Sequence, residues 1–272
     1  MKAHQRVIRE REAGRTDLLG AWWEDIDASL SKAEVREISH TKASEIILKY
    51  EWLGDMPQAA TRSFGLFHAG VLAGAVVFAT KPGANLVSSS SGVVPPDALY
   101  LSRGACAHWA HPHAASWMIS RVCALLAPCS VLAYSDPAAG EIGTIYQALG
   151  WVHIGASKGG QTAFLVDGKM ITARSFKRDR NYEVGQSIEE VRRAFPRAHV
   201  VPVPRKSRYV GVYGPKHYKR NILSKLAQEA KPYPKRAEQM SEGQSALPTQ
   251  KAGFDSPAPL QLTKPDIEGA AV

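Results

Sequence analysis

The sequence predicts a mixed α/β fold: one sheet with an antiparallel half and a parallel crossover in its middle. Three observations carry that prediction. Segments alternate in the order strand, helix, hairpin, strand, helix, strand, helix, hairpin. A helical stretch over 114–126 separates two apolar runs, 98–107 and 131–134, which gives the length of connection that parallel strands require. Then 134–151 reads as one compact unit. The apolar strand ends at Asp136-Pro137, Gly140 and Gly143 open a short helix that carries Tyr146, Gly150 stops it, and Trp151 begins the next strand.

Each element has its own signal. Residues 1–30 are charged, with Trp22-Trp23 the one apolar anchor, and read as a partly helical arm. Val35 and Ile38 stand among charged residues over 33–39, a first strand. Thr41 is placed to cap a helix whose Ala43, Ile46, Ile47 and Tyr50 recur at i, i+3, i+4 and i+7, and Gly54-Asp55-Met56-Pro57 ends it. Strands over 62–68 and 71–80 flank Ala69-Gly70. A Ser-, Gly- and Pro-rich loop covers 81–96, and Pro112 stands at the start of the central helix. A second hairpin, 162–166 with 170–176, turns at Asp167-Gly168. Ser187 is placed to cap a short helix over 188–194, 200–213 reads as a strand pair or extended arm, and 216–229 as a basic helix.

Composition narrows the partners. Of 272 residues, 44% are apolar, ordinary for a globular protein, and the net charge is +9. Between Ile171 and Lys235 there are 16 Lys and Arg against 5 Asp and Glu, a net of +11, so the rest of the chain is slightly acidic. A basic segment interleaved with Tyr182, Tyr209, Tyr213 and Tyr218 suits an anionic polymer, with cations on phosphates and aromatic faces for bases. Cys106, Cys123 and Cys129 show neither zinc nor disulfide spacing, which fits a reducing cytoplasm. Met1 to Arg15 does not read as a signal peptide, and no run approaches the length that spans a bilayer. The expected organisation is a charged arm at 1–30, a catalytic core at 31–180, a basic extension at 181–231 and a disordered tail at 232–272, poor in large apolar residues.

Candidate chemistry collects where α/β sheets place their ligands, beyond the ends of the central strands. Arg103, after Leu101-Ser102, is a fixed cation suited to carboxylate or phosphate. Ser116, Trp117 and Ser120 share the central helix. Asp136 can be a base, a metal ligand or merely a turn residue, and Tyr146 can donate or relay a proton. Tyr50 and Glu51 arrive from the end of the first helix. His108, His111 and His113 crowd the turn before the central helix, either as polar filler or as a metal-rich loop.

The 134–151 unit resembles the last βαβ unit of the Gcn5-related N-acetyltransferase fold. Taken with Tyr50-Glu51-Trp52-Leu53-Gly54, Leu101-Ser102-Arg103 and Ser116-Trp117-Met118-Ile119-Ser120-Arg121, it resembles the phage Mom family, the DNA adenine methylcarbamoylation proteins. The likeness covers roughly 33–225. It implies an acetyltransferase-like fold, a double-stranded DNA substrate, and conversion of adenine to its N6-carbamoylmethyl form, which protects phage DNA from host restriction. By position it implies catalytic roles for Arg103, Ser116, Ser120, Asp136, Tyr146 and Tyr50, and cofactor contacts for Ser102, Trp117, Gly140 and Gly143. DNA contacts are expected from Arg174, Lys177, Arg178, Arg205, Lys206, Arg208, Lys216, Lys219 and Arg220. The cofactor is unassigned; iron is the metal that the family implies, with no ligand set. Acetyltransferases of this fold hold the coenzyme A pyrophosphate on a Gly-containing turn. Here that turn runs from His108 to Ala115 without glycine, and Pro112 removes a donor, which argues against standard acetyl-CoA binding. Two other readings stay open: an N-acetyltransferase for a small amine or protein, and a non-catalytic DNA-binding protein.

Overall fold

The computed structural model describes residues 26–51, 53–57, 59–79, 94–95, 97–137, 140–157, 161–166, 169–172, 193, 196, 199–203 and 205–235. Ser29 caps a 3-10 turn, Leu30–Lys32, and leads into β1, Glu34–Ile38. Helix α1 follows, His40–Tyr50. Ser39, not Thr41, caps it: Ser39 has an extended backbone, and its side chain accepts the Lys42 N–H at 3.1 Å. Ala43, Ile46, Ile47 and Tyr50 all lie buried, as their spacing predicts.

The hairpin β2, Ala60–His68, and β3, Val71–Ala79, turns through Ala69 and Gly70, both at positive φ, the two-residue geometry that matches strand twist. Next come β4, Leu99–Cys106, α2, Ala114–Leu125, and β5, Cys129–Ser135. Helix α3 is Thr144–Ala148 and β6 is Val152–Ala156. The N–H of Gly150 bonds to Gln147 O and that of Trp151 to Tyr146 O, with Gly150 at φ 66°, so the glycine stop forms as predicted. β7, Gln161–Val166, and β8, Lys169–Thr172, precede β9, His199–Val203, and β10, Ser207–Tyr213. Helix α4, Lys216–Glu229, is the predicted basic helix. The arm through residue 25, the turn Asp167-Gly168, most of the loop at 81–96 and all but Arg193 of the expected helix at 188–194 lie outside the described residues.

Seven strands form the main sheet in the order β1-β2-β3-β4-β5-β10-β6. Every neighbour pair is antiparallel except β4–β5. Alternating side chains bury both faces. Val76, Phe78, Val131, Ala133 and Tyr209 pack against α2, with Tyr146 of α3 and Leu149, its C-cap, against the same cluster. Ala75, Val77 and Ala105 pack against α1, while Leu132, Ile154 and Val210 pack against Ile222 and Leu226 of α4.

Two expectations need correction. The stretch 200–213 is no continuous arm. β9 joins β7 and β8 in a separate three-stranded sheet, whereas β10 inserts between β5 and β6 of the main sheet. A segment expected in the basic extension thus supplies a core strand. The cause is its alternation of Tyr209 and Val210, which fills both faces. Nor does packing stop at 231. Past α4 the chain lies back across β6: the Lys231 N–H donates to His153 O at 2.8 Å, and the Tyr233 hydroxyl donates to Trp151 O at 2.9 Å. His153 Nδ1 meets Pro232 O at 2.7 Å and Gln147 Nε2 donates to Pro234 O at 3.3 Å.

Candidate active site

The parallel pair β4–β5 is joined only from Leu99 to Leu101 against Val131 to Ala133. Beyond that β4 continues to Cys106 and β5 to Ser135 without pairing to each other, so the sheet splits open at their C-terminal ends. Such an opening is where open α/β sheets receive ligands. A β-bulge aims the side chains. Val77 pairs with Arg103 and Phe78 with Leu101, leaving Ser102 as the extra residue. Leu101 therefore stays in the α2-side core, while Arg103 turns to the α1 side.

There Arg103 is held by the loop after α1. Its Nε donates to Asp55 O at 2.8 Å, its Nη1 to Ser102 O at 2.8 Å, and its Nη2 lies 4.0 Å from Asp55 Oδ2. Glu51, the C-cap of α1, is 8% exposed. One of its oxygens accepts the N–H groups of Leu53 at 3.0 Å and Gly54 at 3.2 Å. Burial pushes the Glu51 carboxyl up to about 7; Arg103 pulls it down and Glu141 pushes it further up.

The opposite wall is the β5–α3 loop. The Asp136 backbone N–H donates to Glu141 Oε2 at 3.3 Å, and the Glu141 N–H returns to Asp136 O at 3.1 Å. Asp136, 8% exposed, places Oδ2 3.0 Å from Lys206 Nζ. Its carboxylate is thus committed to an ion pair rather than capping α3, whose N-cap is Gly143.

Tyr146 stacks on Trp151, ring centroids 5.2 Å apart, and tilts against Tyr209 at 5.3 Å. Burial drives its hydroxyl well above the ordinary tyrosine range, and the fields of Glu141, Tyr100, Glu51 and Tyr209 add to this. Tyr146 therefore remains a neutral hydroxyl donor near neutral pH. Tyr209 is fixed behind it by donating to Ile142 O at 2.6 Å. Gly143 is required there: it sits at φ 70°, and a Cβ would come 2.4 Å from the Tyr209 ring.

Arg103 with Asp55 thus stands on one side and Asp136 with Glu141 and Lys206 on the other, while Glu51 and Glu141 lie within electrostatic reach of Tyr146. The sequence gives Glu141 and Asp55 no site role, and it offers Tyr209 only as an aromatic face for bases, which its complete burial rules out. Glu141 had a signal, since it lies inside the Gly140–Gly143 segment. Tyr209 had none, because its neighbours are distant in sequence. Other candidates sit elsewhere. Tyr50 is 2% exposed in the α1 core, its ring 5.9 Å from His108. Ser116 donates to His113 O at 3.1 Å, and Ser120 is half-buried one turn on. Trp117 packs on the α2-side core under the Arg121 guanidinium, 5.1 Å away. Gly140 is exposed at φ 72°.

Among the proposed DNA contacts, Arg174, Lys177 and Arg178 lie outside the described residues. Arg205, Lys216 and Arg220 are exposed and Lys219 half-exposed. Arg208 is 7% exposed and donates through Nη2 to Ile154 O at 2.9 Å, so it points into the fold rather than toward a phosphate. Lys206 likewise serves Asp136.

Among the described residues no group of three His, Cys, Asp or Glu is arranged to hold a metal ion. His111 and His113 rings are 5.5 Å apart, and His111 Nδ1 accepts the His113 N–H at 3.1 Å. The described residues therefore show no set that fits an iron centre. On the turn before α2, the Ala114 N–H is also taken, by His111 O at 2.8 Å. Two amides that would face a pyrophosphate are thus occupied. Cys106, Cys123 and Cys129 are buried free thiols, all pushed up by burial, Cys106 to about 12, so they serve packing rather than chemistry. No helix among the described residues is long and apolar enough to cross a membrane.

Residues 32–235 match the model of the Mom protein family. No curated protein matches the chain.

Proposed function

The chain belongs to the Mom family of phage DNA-modification proteins, and from that premise we propose that it transfers a carbamoylmethyl group to N6 of adenine in double-stranded DNA, protecting the DNA from restriction. The opening between β4 and β5 carries this reading. At the ends of the parallel strands a fixed cation, Arg103, stands on one side and Asp136 with Glu141 on the other, while Glu51 and Glu141 lie within electrostatic reach of a neutral hydroxyl donor, Tyr146. Strand order and the single parallel pair support an acetyltransferase-like fold adapted to this use. The occupied amides of the turn before α2 favour a donor other than standard acetyl-CoA.

N6 takes part in base pairing, so the adenine has to leave the stack to enter the opening. Arg103 then stabilises negative charge on the donor or its leaving group. Tyr146 donates a hydrogen bond to the reacting group and keeps its proton. The Asp136–Lys206 pair fixes the wall on which Glu141 and Tyr146 stand. The exposed basic face of α4 supplies phosphate contacts. Nucleoside mass spectrometry of DNA from bacteria expressing the chain tests the reading. A deoxyadenosine heavier by one carbamoylmethyl group is expected; only ordinary nucleosides, from cells containing soluble protein, would reject it.

A further inference from the structure

We propose that Gln147 is the positioning residue for Tyr146: its side-chain nitrogen ties α3 to the loop before it, to β10 and to the segment past α4, and so fixes where Tyr146 stands. The inference rests on the N6-transfer reading above, in which Tyr146 serves the reaction, and adds a residue to it. Helix α3 cannot hold itself. It runs only from Thr144 to Ala148, its N-cap is Gly143, and no side chain caps it. A helix this short is not stable alone, so its orientation depends on what grips it from outside.

Gln147, next in sequence to Tyr146, supplies that grip. Its Nε2 donates to Ile142 O at 2.7 Å and to Pro234 O at 3.3 Å, and lies 3.5 Å from the Tyr209 hydroxyl oxygen. The two carbonyls can only accept, so the amide nitrogen rather than the amide oxygen has to face them, and its two hydrogens match them. The Tyr209 hydroxyl commits its own hydrogen to Ile142 O at 2.6 Å. Ile142 O therefore takes one donor from α3 and another from β10, and it lies between Glu141 and Gly143 in the loop. The same bond fixes the Tyr209 ring against which Tyr146 tilts, 5.3 Å away. Pro234 belongs to the segment that follows α4 and crosses β6, held there by the Lys231 N–H on His153 O and the Tyr233 hydroxyl on Trp151 O. Segments far apart in sequence thus meet at one carboxamide beside Tyr146. A leucine of similar size would fill the space and tie none of them.

The test uses the full chain as wild type, Gln147→Leu and Gln147→Glu. It reads the yield of modified deoxyadenosine at equal soluble levels, and the fluorine NMR signal of Tyr146 in purified protein labelled with fluorotyrosine. That signal is assigned by its absence from Tyr146→Phe, and the Trp151 ring stacked 5.2 Å from it makes it sensitive to position. Gln147→Leu is expected to displace the Tyr146 signal and to lower modification by at least about tenfold, the cost of misplacing a group at a reacting centre. In Gln147→Glu the signal should be displaced while the carboxylate is ionised. It should return toward that of wild type at the same pH once acid protonates the carboxyl, which regains one donor for Ile142 O. An unmoved Tyr146 signal in Gln147→Leu, or modification within threefold of wild type, overturns the assignment. A wild type that modifies nothing rejects the transfer reading, and a displaced Tyr146 signal in Gln147→Leu still supports the clamp. Should Gln147→Leu fail to fold, proton exchange at the Gln147 carboxamide of the wild type decides: slow exchange supports the clamp, and exchange as fast as in an exposed glutamine overturns it.

Discussion

Lys206 and Asp136 form the rung just beyond the last pair of the β5–β10 ladder. Ser207 faces Ser135 in register, and one step outward Lys206 Nζ meets Asp136 Oδ2 at 3.0 Å. The Ser157 N–H donates to Lys206 O at 2.8 Å, so the lysine backbone is held as well. A strand contributed from late in the chain thereby anchors the loop that carries Glu141 toward Tyr146.

Lys206→Gln should therefore lose modification even though it removes a residue outside the catalytic set. The pair is partly exposed, so the expected stability cost is modest, about 1 kcal/mol. A double-mutant cycle with Asp136→Asn, read by thermal unfolding and by modified nucleoside yield, should show coupling in both measurements. Additive effects would mean that the two residues act independently.

The pH dependence of stability should report Glu51. Its carboxyl titrates at about 7 in the fold against an ordinary 4.5, so the folded chain holds this proton more tightly. The stabilisation is complete below about 4.5 and is lost as pH rises through 7. At pH 8 Glu51→Gln should be more stable than wild type, by on the order of 3 kcal/mol, with the difference vanishing at pH 4.5. Melting curves at the two pH values check this; a constant difference would place the Glu51 carboxyl in the ordinary range.

A chain ending after Lys235 should match the full chain in stability and modification, whereas one ending after Glu229 should not. Residues 231–234 make four hydrogen bonds to the β6 and α3 region. At the usual net value for such bonds their loss costs about 2 to 4 kcal/mol. Thermal unfolding of the two truncations separates them, and equal melting temperatures would show that this segment contributes nothing.

DNA affinity should depend on salt through α4. Replacing Lys216, Lys219 and Arg220 with Gln is expected to flatten the salt slope of duplex binding by up to about 3. Arg208→Gln should instead lower the melting temperature with little change in slope, because its guanidinium bonds Ile154 inside the fold. Unchanged slopes in the triple variant would place the DNA path elsewhere.

What was legible in the sequence was local. The apolar face of α1 follows from 3.6-residue periodicity, and the unit from Tyr134 to Trp151 follows from its glycines and turn residues. What was hidden depends on contacts between distant segments. No local pattern reveals that β10 pairs with β5, so Lys206 and Arg208 read as solvent-facing cations when one is paired at the site and the other is buried. The cap of α1 is misplaced locally: the sequence pattern puts it at Thr41, whereas the extended backbone of Ser39 makes that residue the N-cap. The bulge at Ser102 is likewise invisible in Leu101-Ser102-Arg103, although it sends Leu101 and Arg103 to opposite faces.

The most direct measurement compares DNA from cells expressing wild type, Tyr146→Phe and Asp136→Ala at equal soluble levels, digested to nucleosides and analysed by mass spectrometry. Tyr146→Phe preserves the ring stacked on Trp151 and tilted on Tyr209 and removes only the hydroxyl. Asp136→Ala removes the partner of Lys206 and leaves the strands intact. Carbamoylmethylated deoxyadenosine is expected from wild type and nearly none from either folded variant. The same modified nucleoside at wild-type yield from both variants would contradict the placement of the chemistry in the opening between β4 and β5.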